Sequence, residues 1–308
     1  MKKSAGSFLA VCCLFLLLSH PSLSLTGARQ GLLLWANTVL PTLLPFMLCT
    51  GVIVAFNGIS LLTLPFKPIL TRFFSLSEQG SFCLICGLLC GYPMGAKMTN
   101  DFVESGRISP TEGKYLLAIS SFPSPMFILG YMASQAKSVP LSPMWPSWSL
   151  AASIYIPILP LSFLAKKIYG AERSSVIEKK EPIKEGSFSF DSYLIDSFEI
   201  MVKIGGYIML FSILALYLSR LPIPTLFRCA FLGGVEMTTG IAAICSQVSG
   251  RAGLMLTAAA GSFGGLSGLF QTKSVLKNAR LSIWHYMWWK LLSSLLSFLL
   301  LYGLSELL

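Results

Sequence analysis

Solid apolar runs, each long enough to cross a bilayer as a helix, recur from one end of this 308-residue chain to the other. A spanning helix needs about 20 mostly apolar residues at a rise of about 1.5 Å each. Such runs cover 31–56, 113–134, 145–165, 197–219, 251–271 and 282–304, and a shorter apolar core from Phe8 to Leu18 precedes them. Two further stretches, 79–100 and 225–247, are apolar but interrupted in the middle by Gly or Pro. Each is too broken for one straight span and predicts two half-helices joined by a turn, that is, a re-entrant helical hairpin. A transmembrane barrel would alternate apolar and polar positions instead. The pattern predicts an all-α polytopic membrane protein. Lys2 and Lys3, the Phe8–Leu18 core and the polar stretch from Ser19 to Ser24 also resemble a secretion signal, but no small-x-small cleavage site follows cleanly and the rest of the chain is membrane, so an uncleaved first helix is expected.

The two ends of the chain read alike. Each half has a helix (31–56; 197–219), an interrupted segment (79–100; 225–247), a helix broken near its middle (113–134; 251–271) and a last helix (145–165; 282–304). The interruptions are Gly91-Tyr92-Pro93-Met94-Gly95-Ala96-Lys97 in the first half and Gly233-Gly234-Val235-Glu236-Met237-Thr238-Thr239-Gly240 in the second. Further on, Ser120-Ser121-Phe122-Pro123-Ser124-Pro125 corresponds to Gly261-Ser262-Phe263-Gly264-Gly265. The expected organisation is therefore a first helix and connector (1–30), a membrane repeat (31–168), a hydrophilic cytoplasmic linker (169–196) and a second membrane repeat (197–308).

Charge orients the repeats. Lys and Arg number 23 against 13 Asp and Glu, and charged residues make up only 12% of the chain, about half the share of a soluble domain. In a membrane protein such a surplus first reports that cytoplasmic loops gather Lys and Arg, so it argues for no nucleic-acid partner. With the amino terminus in the cytoplasm and both interrupted segments returning to the side they left, the inside holds Lys2, Lys3, Lys67, Arg72, Arg107, Lys114, Lys166, Lys167, Arg173, Lys179, Lys180, Lys184, Lys273, Lys277 and Arg280. The outside holds Arg29, Lys137, Arg220, Arg228 and Arg251. That asymmetry would weaken if either segment crossed fully. It also makes the repeats opposite in orientation. Inverted repeats with breaks at matching positions are the sequence pointer to a secondary transporter, with its site where the breaks meet near the midplane. Gly and Pro can also merely kink membrane helices or let them pack closely.

The candidate chemistry sits in the breaks. A broken helix frees backbone N–H and C=O groups, which in hydrocarbon cost several kcal/mol unless protein, water or a ligand satisfies them. Glu236 is the one carboxylate between Glu199 and Glu306. A carboxylate in an apolar segment usually faces a cavity, a partner or a proton path, so Glu236 is a candidate solute ligand and coupling-ion site. The alternative is a buried hydrogen bond to neighbouring backbone. Lys97 is the nearest cation to the first break. Three roles are open to it: holding an anion, pairing with Glu236, or reaching back to the cytoplasmic surface. Gly91, Pro93 and Gly95 expose half-helix ends whose N–H groups attract anions, and Tyr92 and Gly264 lie in the same breaks. Ser121, Ser124, Thr238, Thr239 and Ser262 add hydroxyls.

Other features fall away. Cys83-x-x-Cys86-x-x-x-Cys90 has metal-like spacing, but no His or carboxylate joins it, so these read as small membrane-tolerant residues and no metal or other cofactor is expected. No phosphate loop, HExxH motif or nucleophile with an evident base occurs, so no enzyme activity is expected. Trp284, Tyr286, Trp288 and Trp289 read as an interfacial belt.

At several of these residues the chain resembles a known family. Trp35-Ala36-Asn37-Thr38-Val39-Leu40-Pro41-Thr42-Leu43-Leu44-Pro45-Phe46, Gly91-Tyr92-Pro93-Met94-Gly95-Ala96-Lys97, Glu112-Gly113 and Glu236-Met237-Thr238-Thr239-Gly240 resemble the YlbJ-type sporulation integral membrane proteins. Those belong to the nucleoside-recognition "Gate" superfamily, distantly similar to concentrative nucleoside transporters. The chain departs from the family in its compactness, its short central linker and the Ser-Phe-Pro-Ser-Pro sequence at 121–125. The resemblance implies transport of a small anionic solute, dipicolinate, out of the mother cell across the outer forespore membrane. It also implies hairpins and broken helices that move against a scaffold within an oligomer. The same architecture could carry a nucleoside, with Glu236 binding ribose hydroxyls, or serve as a membrane scaffold without transport.

Overall fold

In a computed structural model, which describes residues 2–137, 145–170, 190–276 and 281–306, the protein consists of helices joined by turns and short unwound stretches, with no strand among those residues. The first half holds α1 (Lys2–Ser19), α2 (Pro21–Leu34), α3 (Leu40–Ala55), α4 (Ile59–Thr63), α5 (Lys67–Arg72), α6 (Glu78–Cys90), α7 (Met94–Glu104), α8 (Pro110–Ile119), α9 (Ala133–Ala136), α10 (Trp145–Tyr155) and α11 (Ile158–Tyr169). The second holds α12 (Phe190–Leu218), α13 (Thr225–Val235), α14 (Met237–Gln247), α15 (Gly250–Phe263), α16 (Gly265–Val275) and α17 (Ile283–Glu306). Most of the expected linker, with Lys179, Lys180 and Lys184, lies outside the described residues. Five helical stretches are long and apolar enough to cross a membrane: Pro21–Ala55, Ser147–Tyr169, Phe190–Leu218, Gly250–Val275 and Ile283–Ser305.

The first of these stretches begins ten residues earlier than the apolar run at 31–56. A π-helical turn at Trp35–Val39 joins α2 to α3, so residues 21–30, expected to be a connector, continue the helix. The reason is packing against α12. A Cβ at Gly27 would lie 2.8 Å from Ile213 Cα, and one at Gly31 would lie 2.7 Å from Met209 Cα. The Gly27-x-x-x-Gly31 spacing lets two backbones approach as closely as membrane helices do at small-residue stripes. One turn on, the Trp35 indole lies against Gly205 and donates its N–H to Met201 O at 2.9 Å.

Each of the two interrupted stretches forms two short helices joined by a turn. α6 packs back along α7, and α13 along α14. Local capping fixes where the first pair starts. Ser77 caps α6 by accepting from Gly80 N, and Ser109 caps α8 by accepting from Glu112 N. Glu112 then reaches across to Ser77, its Oε1 accepting from both the backbone N and the hydroxyl at 2.8 Å. Burial pushes the Glu112 carboxyl up from its ordinary value, and these two donors partly offset that. The second pair is tied at its open end, where Arg228 donates to Gln247 Oε1 at 3.0 Å.

Cys83, Cys86 and Cys90 are buried free thiols on α6 and belong to the main hydrophobic core. α17 is amphipathic in a way the aromatic cluster hid. Trp284 and Trp288 face outward, 67% and 65% exposed, whereas Tyr286 and Trp289 are buried. Only the outward pair suits the expected belt, because a helix turning about 100° per residue cannot present all four on one face. The inward face continues through Lys290, Ser293 and Ser297 and packs on α15.

Candidate functional site

The four chain breaks come together. Gly91 ends α6 with φ +83° and ψ −172°, a conformation natural to glycine. A Cβ there would lie 2.9 Å from Ser124 N, in the unwound stretch that follows α8. Gly264 separates α15 from α16 with φ +84°, and a Cβ on it would lie 3.1 Å from the Tyr92 ring. Gly265, with φ +71°, packs against the backbone at Val235 and Met237, either side of Glu236. So the first hairpin turn meets the break after α8, and the second meets the break between α15 and α16. Tyr92 connects the two sets.

The freed backbone groups find identifiable partners. Tyr92 donates its hydroxyl to Gly261 O at 2.7 Å, a carbonyl in the last turn of α15, and lies 2.7 Å from Met237 Sδ. Tyr155 on α10 donates to Pro123 O at 2.8 Å. Lys290 on α17 donates to Ser121 O at 2.7 Å. Tyr131 donates to Thr238 O at 2.7 Å, holding the start of α14. Long side chains thus reach backbone carbonyls at and beside the breaks, as an apolar interior requires.

Glu236 occupies an extended residue (φ −138°, ψ 117°) between α13 and α14 and is 2% exposed. Its Oε2 accepts from Thr239 N at 2.7 Å and from the Thr238 hydroxyl at 2.6 Å. The carboxylate therefore caps its own helix, and its charge meets the positive end of the α14 dipole. No hydrogen bond reaches Oε1 from the described residues. Beside it lies a cavity of about 50 Å³ lined by Gly91, Tyr92, Ser124, Glu236, Thr238 and Gly264, together with Thr42, Gln271 and a ring of apolar side chains. That volume holds a few waters. It is well below the ~300 Å³ at which pockets for organic solutes begin.

Six of the twelve residues singled out from the sequence thus line one cavity, and six do not. Pro93 opens α7, and Gly95 packs against Ser120 O. Ser121 offers its carbonyl to Lys290, and Thr239 offers its N–H to Glu236. The Ser262 hydroxyl is engaged with Ser297 of α17 at 2.5 Å. Lys97 pairs with Asp101 one turn along α7 at 2.6 Å, so of the three roles open to it, pairing with Glu236 is not the one this structure adopts. An i,i+4 spacing makes that local pairing easy.

Four residues of the site escaped the sequence reading: Tyr131, Tyr155, Gln271 and Lys290. Tyr131 and Tyr155 sit in apolar stretches away from the breaks, where a tyrosine carries no special signal. Gln271 is buried, with Nε2 donating to Ser267 Oγ at 3.0 Å one turn before it. Lys290 was the detectable one, since Tyr286, Lys290, Ser293 and Ser297 repeat at helical spacing on one face of α17.

Sequence comparison agrees with the family resemblance. The curated sporulation integral membrane protein YlbJ of Bacillus subtilis (strain 168) is 25% identical to this chain over 219 residues, 64% of the chain. The chain is YlbJ-like. It spans about half the length of that relative, 52% of which is covered. No family model matches the chain, and no solved structure matches it. The YlbJ likeness and the five apolar spans agree on a membrane protein related to a sporulation protein.

Proposed function

We propose that this YlbJ-like chain is a secondary transporter of a small organic anion, dipicolinate, moved out of the mother cell across the outer forespore membrane during sporulation. The observation that carries the reading is the convergence of four helix breaks on one cavity lined by a buried carboxylate. Irregular backbone at membrane depth is tolerated where it lines a cavity, and transporters with repeated halves build their sites from such breaks. The matching order of hairpin and broken helix in the two halves supports an inverted repeat. The basic residues of the inner loops support a cytoplasmic amino terminus.

In this reading α6–α7 and α13–α14 are re-entrant hairpins, and the present conformation is closed around too little space for an aromatic dicarboxylate. Solute enters when the hairpin tips part. Glu236 is the coupling residue. A dianion beside an ionised carboxylate is unfavourable, and Lys97 is engaged elsewhere, so Glu236 takes up a proton or a cation when solute binds. No bond of the solute is made or broken; the lipid bilayer is the surrounding partner, and a homo-oligomer belongs to the same reading.

Labelled dipicolinate uptake into liposomes containing the purified protein tests this reading, with unlabelled dipicolinate and a nucleoside as competitors. Uptake blocked by dipicolinate and not by the nucleoside is expected. Uptake of a labelled nucleoside into the same liposomes, without uptake of dipicolinate, would make the chain a nucleoside carrier of the same architecture. No uptake of either compound would leave it a membrane scaffold.

A further inference from the structure

Lys290 is the one Lys or Arg in the described residues that is buried, at 3% exposed. It lies two turns into α17, a span candidate, and no described carboxylate comes within ion-pair distance of its ammonium. Its contacts are Ser121 O at 2.7 Å, the Tyr92 ring face at 4.9 Å and the Phe122 ring face at 5.0 Å. An ammonium has three donors, and these contacts satisfy it only in part. The Ser293 hydroxyl, one turn along the same face, is buried with no hydrogen-bond partner among the described residues. A cation in an apolar interior is costly unless it is paired, and cation–π contacts return only part of that cost.

The position of this cation connects it to the cavity. Tyr92 touches both: its ring face lies under the Lys290 ammonium, while its ring edge and hydroxyl stand against Gly264 and Met237, two residues that line the cavity. Tyr92 also lines the cavity itself. Displacing one ring therefore joins the buried ammonium to the space beside Glu236.

We infer that Lys290 is the cationic pole of the solute site, binding a carboxylate of the transported anion in place of the Tyr92 ring face. Glu236 and Lys290 then form two poles about one tyrosine. The carboxyl pole handles the coupling proton or cation, and the ammonium pole selects solutes bearing a carboxylate. This rests on the anion-transport reading and adds the residue that makes the site prefer anions.

Direct binding of labelled dipicolinate and of benzoate to the purified full chain tests it, comparing Lys290→Met, which keeps length and removes charge, with Lys290→Arg, which keeps charge. Lys290→Met is expected to weaken binding of both carboxylates by at least about tenfold, and Lys290→Arg by about threefold or less. Equal affinity in the unaltered chain and Lys290→Met would overturn the inference while leaving dipicolinate transport standing. Lys290-dependent binding of benzoate without binding of dipicolinate would uphold the ammonium pole and remove dipicolinate as the solute. No binding of either carboxylate by the unaltered chain would overturn both. Should Lys290→Met not yield monodisperse protein, the unaltered chain serves. Dipicolinate is expected to slow acylation of Lys290 by a small amine-reactive acyl donor such as acetic anhydride, which leaves as acetate, read by mass spectrometry, and unchanged or absent acylation with solute present and absent would count against the inference.

Discussion

The two hairpin turns solve the same problem with opposite materials. The turn between α6 and α7 is built from backbone packing. Gly87 and Gly95, one on each arm, both face Ser120 O, and a Cβ on either would lie 1.9 Å from that oxygen. The arms are thereby fitted to the end of α8 with no side chain between them. The turn between α13 and α14 is built from a side chain. Its glycines face one another, with a Cβ at Gly240 only 2.2 Å from Gly233 Cα, so the arms close on themselves. Its helix end is capped by the Glu236 carboxylate. The glycine fit makes the first turn a fixed wall on the end of α8. The second turn also meets Gly265, but it carries its own cap and would keep it if the two parted, which under the proposed transport role suits a moving part.

The largest effect that would sharpen this contrast comes from Gly95→Ala. The methyl would collide with a backbone carbonyl that no rotamer can move, and a loss at or beyond about 3 kcal/mol is expected. Thermal unfolding and the yield of monodisperse protein check it, and a well-folded variant would break the fixed-wall side of the comparison. Next comes Tyr92→Phe. It strands Gly261 O at the broken end of α15, for about 1–3 kcal/mol of destabilisation in the same assay. Glu236→Ala removes a cap from the second turn for about 1 kcal/mol. The smallest effect is at Gly234, where a Cβ meets nothing within 4 Å. Gly234→Ala in α13 is expected to be neutral or stabilising by about 0.5–1 kcal/mol. A large loss there would mean that the second hairpin is as tightly fitted as the first.

Much of this contrast could be read in the sequence because breaks in a membrane chain are conspicuous. Gly91 to Gly95 and Gly233 to Gly240 interrupt apolar runs, and Glu236 stands alone among more than a hundred residues without another carboxylate. What joins the breaks could not be read so directly. Tyr92, Tyr131 and Tyr155 act by reaching carbonyls on other helices, and that depends on crossing geometry rather than on local pattern. Lys97 drew notice because it follows a break, yet Asp101 one turn on offered a nearer partner. Lys290 shares a helical spacing with Tyr286, Ser293 and Ser297, a legible signal that the exposed tryptophans beside it outweigh by giving α17 the look of an interfacial helix end. The Gly27 and Gly31 stripe was masked by Arg29 and Gln30 between them, which lower the hydropathy of a segment that nonetheless continues a long helix.

The central claim is that the second turn, through Glu236, couples solute movement to a proton or another cation. Glu236→Gln isolates it, because the amide oxygen can still accept from Thr239 N and hold the end of α14, so stability should change by no more than about 1 kcal/mol. Dipicolinate flux through the unaltered protein and through Glu236→Gln, each in liposomes with and without an imposed pH gradient, is the decisive measurement. The account predicts flux in the unaltered protein that responds to the gradient, and a folded Glu236→Gln whose flux is lost or no longer responds to it. Equal, gradient-responsive flux in the two proteins would contradict the account.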